Sequence, residues 1–343
     1  MKDTISSLMR SALVAVSLVM VAAVHAQRLP PPSNANYTAI QRILESPEQG
    51  IDLARAKLAI DRMIDPSIEV ESTLTQLDKM AQEIKAMLPA NASSRLTLDA
   101  LRYHIYQPTA WNQGRPFQYD LDDPYGRNVR NKLMPTYLAT RKGNCVSMPL
   151  LFIILGQKLG LDVTASLAPN HVFVQWRDTD GKLYNLETTS GAGFTRDLWM
   201  RQQFSMTDEA LKSGIYMRPL SKKETVAVMA GTLLEFYGQQ GRQEPLRALA
   251  VLLQQYSPRD VSFMLHQHAA LLGIRHQEFV RRYPTPRDIP EDKRARFIEL
   301  ESQVKALYDR AFALGWRPLD ESAEARYKNA IITTKEKNQG EMK

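Results

Sequence analysis

Two stretches early in the chain repeat apolar residues at helical spacing. Ile51, Leu53, Leu58, Ile60, Met63 and Ile64 form the first, which stops before Pro66. Val70, Leu74, Leu77, Met80, Ile84 and Met87 step by three or four until Pro89 and predict a second amphipathic helix. Ser94 to Tyr106, with Leu96, Leu98, Leu101 and Ile105 inside, predicts a third, and Leu133 to Thr140 a short fourth. From Cys145 to Leu159 the pattern changes, because nearly every residue is apolar. A helix without a polar face is buried on every side. Gly160 supplies its stop. Pro149 would fall in the second turn and forgo one backbone bond there.

Strands follow. Val163 to Leu167 alternates, His171 to Trp176 places Val172, Val174 and Trp176 on one face, and Leu183 to Glu187 places Tyr184 and Leu186 on one face. Matching the apolar faces across the Arg177-to-Gly181 turn favours a register with Val172 and Val174 beside Leu186 and Tyr184 and a loop of three or five residues. His171 then stands opposite Glu187 on the polar face. After Pro219 the pattern is helical: Thr225 to Gln239, Glu244 to Gln255, Val261 to Leu272 and Arg294 to Leu314. Tyr237, Ala250 and Pro258 fall near tetratricopeptide positions, with a second copy poorly matched. The Gly-, Pro- and Asp-rich stretch from Gln107 to Asn128 reads as a long loop, a kind of segment that is usually functional or mobile.

The ends of the chain add a location. Lys2 and Arg10 precede an apolar run from Ser11 to Val24, and Val24-His25-Ala26 offers a small-residue cleavage site. That is the layout of a secretory signal, too short to span a bilayer. Residues 1–26 are therefore expected to be a signal peptide, and the protein periplasmic or secreted. A membrane partner is expected only if the segment stays uncleaved. Leu29-Pro30-Pro31-Pro32 opens a stiff arm over residues 27–44. The polar, charged residues 321–343 read as a tail.

The chain has 343 residues and a formal charge of +7, spread without a basic stripe interleaved with aromatics, which argues against a nucleic-acid partner. Its single cysteine, Cys145, is unusual for an exported chain, whose cysteines normally pair. Gly143-Asn144-Cys145-Val146-Ser147 sets that thiol at a helix N-terminus, where the dipole and free N–H groups favour a thiolate. His171 is the candidate base and Glu187 the group that would fix its tautomer. Asn185 is a rival orienter. The Cys145 backbone N–H is one candidate oxyanion donor, and Gln107, Asn112 and Tyr119 compete for the second. Taken singly, a lone thiol flanked by apolar residues is usually a small core residue. His266, His268 and His276 lack the spacing and the further ligand for a metal. Asp120, Asp122 and Asp123 lack the EF-hand spacing and read as turn residues. Neither a metal nor a cofactor is expected.

The motifs Gly143-Asn144-Cys145-Val146-Ser147, Gly160-Leu161, Asn170-His171-Val172-Phe173-Val174 and Asn185-Leu186-Glu187-Thr188-Thr189 with Gly191 resemble the transglutaminase-like branch of the papain-like superfamily. Gly50-Ile51-Asp52-Leu53-Ala54-Arg55-Ala56 and Leu77-Asp78 resemble its bacterial SirB type, in which such a domain precedes tetratricopeptide-like helices. The resemblance implies an α+β fold. A transglutaminase-like papain-type domain of helices packed on an antiparallel sheet is expected over residues 45–218, and an all-α helical-repeat module over 219–320. By position, Cys145 matches the nucleophile, His171 the base and Glu187 the acidic third member. The implied activity is an exported cysteine-dependent hydrolase or acyl transferase acting on amide bonds of a peptide or protein. Family members without the chemistry imply the alternative, a scaffold that binds a protein partner through its helical tail.

Overall fold

The computed structural model describes residues 35–318. The signal-like segment 1–26, the proline-rich start of the arm and the tail 321–343 lie outside the described residues. Residues 35–44, placed by sequence in the arm, fold instead as part of helix α1 (Ala35–Glu45), which buries Ile40 and Leu44 completely.

The three amphipathic patterns form α2 (Leu53–Ile64), α3 (Val70–Ala86) and α4 (Ser94–Tyr106). Their starts are fixed chemically. Asp52 accepts the N–H groups of Ala54 and Arg55, and Ser93 accepts that of Leu96. The loop after α4 is ordered by a short strand, β1 (Gln118–Tyr119). It runs parallel to β2 (Lys142–Gly143), which follows α5 (Met134–Thr140). Arg141 ties the loop down: its guanidinium donates to the Asn112 and Arg115 carbonyls and lies over Trp111 and Phe117.

The apolar run becomes α6 (Ser147–Lys158), in which every residue from Ser147 to Gly156 is buried. It starts two residues after Cys145, so Pro149 lies in the first turn rather than the second. Its missing N–H is there one of the helix's unpaired donors anyway, and the expected loss of a backbone bond does not arise.

The sheet is an antiparallel meander of β3 (Asp162–Ala168), β4 (His171–Arg177), β5 (Leu183–Glu187) and β6 (Gly193–Thr195). The short β6 was not foreseen. Val163, Ala165, Val172, Val174, Trp176 and Leu186 share a core with α6. The opposite face carries Ala168 and Phe173, packed on Met200 of α7 (Asp197–Gln203). The expected β4–β5 register is off by two residues: Val174, not Val172, stands opposite Leu186, and Trp176 opposite Tyr184. A shift of two keeps every side chain on its face, so apolar matching alone could not tell the two registers apart. Aromatic packing of Trp176 with Tyr184, ring centroids 5.4 Å apart, accompanies the observed one.

After α8 (Asp208–Ser213) the chain runs along the outer edge of β3, where the N–H groups of Met217 and Leu220 donate to the carbonyls of Leu167 and Ala165. It then enters α9 (Lys222–Gln239), α10 (Gln243–Tyr256), α11 (Val261–Arg275) and α12 (Glu291–Ala313). The first two pack against α1 and α2, and their apolar residues belong to the same core as α6 and the sheet. A buried ion pair anchors this junction. Lys57 and Asp61 pair inside α2, the Lys57 ammonium also donates to the Lys132 carbonyl at 2.9 Å, and the Met134 N–H donates to Asp61 at 2.7 Å. Lys132 in turn pairs with Glu235 of α9. Among the described residues, no helix is long and apolar enough to cross a membrane.

Candidate active site

Cys145 sits in the turn between β2 and α6, half-buried. Three features hold it. Gly143 lets the chain pass the Tyr137 ring, where a Cβ would press on that ring and reach Met148 at 2.7 Å. Asn144 turns its side-chain oxygen to the N–H groups of Val146 and Ser147, at 3.0 and 3.2 Å. The Asp120 N–H donates to the Gly143 carbonyl at 2.7 Å, so the long loop clamps the residue two before the thiol. The backbone N–H of Cys145 donates no hydrogen bond among the described residues.

His171 opens β4 directly after a two-residue turn, because Ala168 pairs with His171 across Pro169-Asn170. Proline fixes φ at the first turn position, and Asn170 takes φ 53°, a left-handed conformation that asparagine tolerates better than most residues. The Asn170 carbonyl lies 3.8 Å from the Cys145 sulfur. The imidazole Nε2–H donates to Oε2 of Glu187 at 2.8 Å, and the Cys145 sulfur is close enough to the ring to favour its protonated form. With Nε2 engaged, Nδ1 is the nitrogen left for sulfur. Phe204 covers the ring in a stack with centroids 4.5 Å apart.

Glu187 is one residue past Leu186, level with Phe173 in the observed register, so it meets His171 diagonally. Diagonal neighbours on a sheet stand about 7–8 Å apart, within reach of long side chains. The extra methylene of glutamate relative to aspartate suits that span. The other carboxylate oxygen accepts from the Thr189 N–H at 2.9 Å and its hydroxyl at 2.6 Å.

The electrostatics follow from these contacts. Burial on its own would lower the His171 pKa, but the bonds and charges of Cys145 and Glu187 outweigh it and lift the imidazole to about 10. Burial would likewise raise the Glu187 carboxyl, yet the bonds from His171 and Thr189 hold it below the ordinary carboxylate range. A buried imidazolium between two partners is a proton store beside a nucleophilic atom.

The other sequence candidates lie elsewhere. Asn185 does not reach His171: its oxygen accepts from Gln175 at 3.0 Å and its amide donates to Asp197 at 2.6 Å. Gln107 is exposed at the end of α4. Asn112 is turned into its own loop, bonded to the Gln107 carbonyl and the Thr109 N–H. The Tyr119 hydroxyl donates to the Pro124 carbonyl at 2.5 Å. None of these three lines the cleft beside Cys145. The side chains of Asn112 and Tyr119 are thus engaged inside the loop, away from that cleft. Asp120 and Asp123 accept backbone and Asn131 N–H groups, and Asp122 pairs with Lys142. His266 and His268 bond to the carbonyls of Ser262 and Val304. Among the described residues, no group of three or more His, Cys, Asp or Glu could hold a metal ion.

Thr189, Phe204 and Asn170 were not singled out from sequence as parts of the site. Neither was the far wall of the cleft, a space of about 730 Å³ that holds Cys145 and His171 on one side and residues of α9 and α11 on the other.

Residues 71–230, from α3 into α9, match the family model described as the transglutaminase-like superfamily. This stretch is therefore a transglutaminase-like superfamily domain, and it contains Cys145, His171 and Glu187. No curated protein and no solved structure matches the chain.

Proposed function

We propose that the protein is a cysteine-dependent hydrolase or acyl transferase that cleaves an amide bond in a peptide or protein through a thioester on Cys145. The observation that carries this reading is the Glu187–His171 hydrogen bond together with the Cys145 sulfur that raises the imidazole's pKa, the thiol and the ring lining one cleft. The Cys145 sulfur, its proton held on His171, adds to the carbonyl carbon, and the free Cys145 N–H faces the developing oxyanion. The C–N bond then breaks, and His171 returns the proton to the departing amine. Water or a second amine attacks the thioester, losing a proton to His171, and the sulfur leaves. Glu187 keeps the imidazole in the required tautomer and balances its charge.

Within this proposal the protein works in the periplasm or as a secreted protein, and it is of the SirB type. What supports a tetratricopeptide-like tail is the consecutive packing of α9 on α10, α10 on α11 and α11 on α12. The alternative, a non-catalytic scaffold, is favoured by a sealed thiol without a pocket, and Cys145 instead lines an open cleft that His171 also lines.

Labelling of the purified protein with iodoacetamide at pH 7, followed by mass spectrometry, tests the proposal. Cys145→Ala should fold normally and take no label. His171→Ala should slow labelling about 10-fold or more, since an unassisted thiol is only a few per cent ionised at that pH. Labelling of the parent at the rate of free cysteine, unchanged by His171→Ala, would overturn it.

A further inference from the structure

Building on Cys145 as the nucleophile, we propose that α9 walls a substrate pocket for one bulky apolar side chain next to the scissile carbonyl, with the gap at Gly231 setting its size. Val228, Gly231 and Glu235 recur at three- and four-residue steps on α9 and line the cleft that holds Cys145 and His171. All three are half-buried, while Met229, Ala230 and Leu233 between them are fully buried in the core. The stripe is thus a part of α9 that the fold leaves partly uncovered in the cleft that the thiol also lines. A Cβ added at Gly231 meets no heavy atom within 4 Å. Glycine is a poor residue for the middle of a helix. No turn, no positive φ and no close neighbour calls for it here, and what its missing side chain leaves is open volume.

The surroundings decide what fills that volume. Phe263 and Leu265 of α11 line the same cleft, as do Val146, Leu167 and Val172. Most polar groups of the lining are engaged: Glu235 pairs with Lys132, the Asp260 carboxylate accepts the N–H and hydroxyl of Ser262 at 2.9 and 2.6 Å, His266 bonds to the Ser262 carbonyl, and the Arg127 guanidinium lies over the Tyr125 ring. The pocket therefore presents apolar surface rather than a site for an ion. A cleft of about 730 Å³ is of the size that takes a small ligand or a short peptide segment, not a folded domain. The occupant is a peptide acyl donor carrying a large aliphatic or aromatic residue.

Two peptidyl acyloxymethyl ketones that differ only in the residue bearing the ketone, Gly or Phe, measure the pocket. The sulfur displaces the carboxylate and forms a thioether to the methylene carbon, so each adduct reports one productive occupancy. In the parent the Phe probe should label Cys145 about 10–100-fold faster than the Gly probe, the factor expected from burying one large apolar side chain. Gly231→Leu and Gly231→Phe should bring the two rates together by filling the space, and Gly231→Ala should leave most of the preference. Circular dichroism and the melting midpoint show whether each variant folds; should Gly231→Phe fail, Gly231→Leu carries the same comparison. Equal rates in the parent, loss of both probes while iodoacetamide still labels, or a preference that survives in the folded Leu and Phe variants overturns the pocket and leaves the nucleophile standing. Failure of iodoacetamide as well as both probes to label Cys145 overturns the nucleophile and the pocket together.

Discussion

Replacing Glu187 by glutamine isolates the carboxylate's charge from its shape. His171 is held at about 10 by its two partners, against the ordinary 6.5. A single opposite charge in contact moves a pKa by about 1–3 units, so Glu187→Gln should lower the His171 midpoint by that amount. The sign of the stability change follows. A raised imidazole stabilises the fold in full below its unfolded value, and that contribution is lost as pH rises from about 6.5 towards 10. Glu187, held below its ordinary value, stabilises the fold above the unfolded carboxylate pKa and loses this only as pH falls through its lowered one. At pH 6 both groups are therefore charged and paired. At one pKa unit per 1.36 kcal/mol, the variant should be less stable there by about 1.4–4 kcal/mol. A further, pH-independent part is expected, because glutamine has one acceptor oxygen for the donors that Glu187 now serves on His171 and Thr189. Urea unfolding of parent and variant at pH 6 and pH 10 separates the parts, since the charge-dependent difference shrinks as the imidazole loses its proton around the higher pH. An NMR titration of the His171 ring gives the midpoint directly. A difference in stability that is the same at both pH values, or a midpoint that moves by less than about half a unit, would refute Glu187 as the charged partner of the imidazole.

Substitutions at three other positions probe what holds the site. Lys57→Met strands the buried Asp61 carboxylate and should cost about 3–5 kcal/mol in urea unfolding, and a loss below about 1 kcal/mol would mean the pair is not closed to water. Gly143→Ala drives a methyl into the Tyr137 ring and Met148 and should cost about 1–3 kcal/mol while slowing alkylation of Cys145, and an unchanged alkylation rate would show that the thiol is held by other contacts. At Asn170, φ 53° suits glycine, so Asn170→Gly should be nearly neutral. Asn170→Val at the same position should lose about 1–2 kcal/mol, and equal melting midpoints for the two would contradict the turn assignment.

Much of this was legible in the chain. Helical spacing located α2, α3 and α4, and the all-apolar run located α6, because burial acts on each residue independently of its distant neighbours. The polar face shared by His171 and Glu187 also followed from strand parity. The register did not, since a slip of two residues preserves parity, and the Trp176–Tyr184 contact that accompanies the observed register is made only in three dimensions. The role of the Gln107-to-Asn128 loop was hidden for a similar reason. Its ordering comes from Arg141 and from pairing with Lys142-Gly143, partners far along the chain. Asn185 was a fair rival on chemistry and loses on geometry, because Gln175 and Asp197 occupy its amide. The α9 wall of the cleft could not be read at all. Nothing local in Val228 or Gly231 says which distant turn they face.

The strap from Met217 to Leu220 has a practical bearing on how this protein can be dissected. By donating to β3 it closes an otherwise open flank of the sheet. A fragment ending before Met217 would keep Cys145, His171 and Glu187 yet bare the carbonyls of Ala165 and Leu167, inviting strand-to-strand aggregation between copies. Expression of that fragment by itself is thus poorly suited to assays, and clones that run through α9 preserve both the sealed flank and the α9 lining of the cleft.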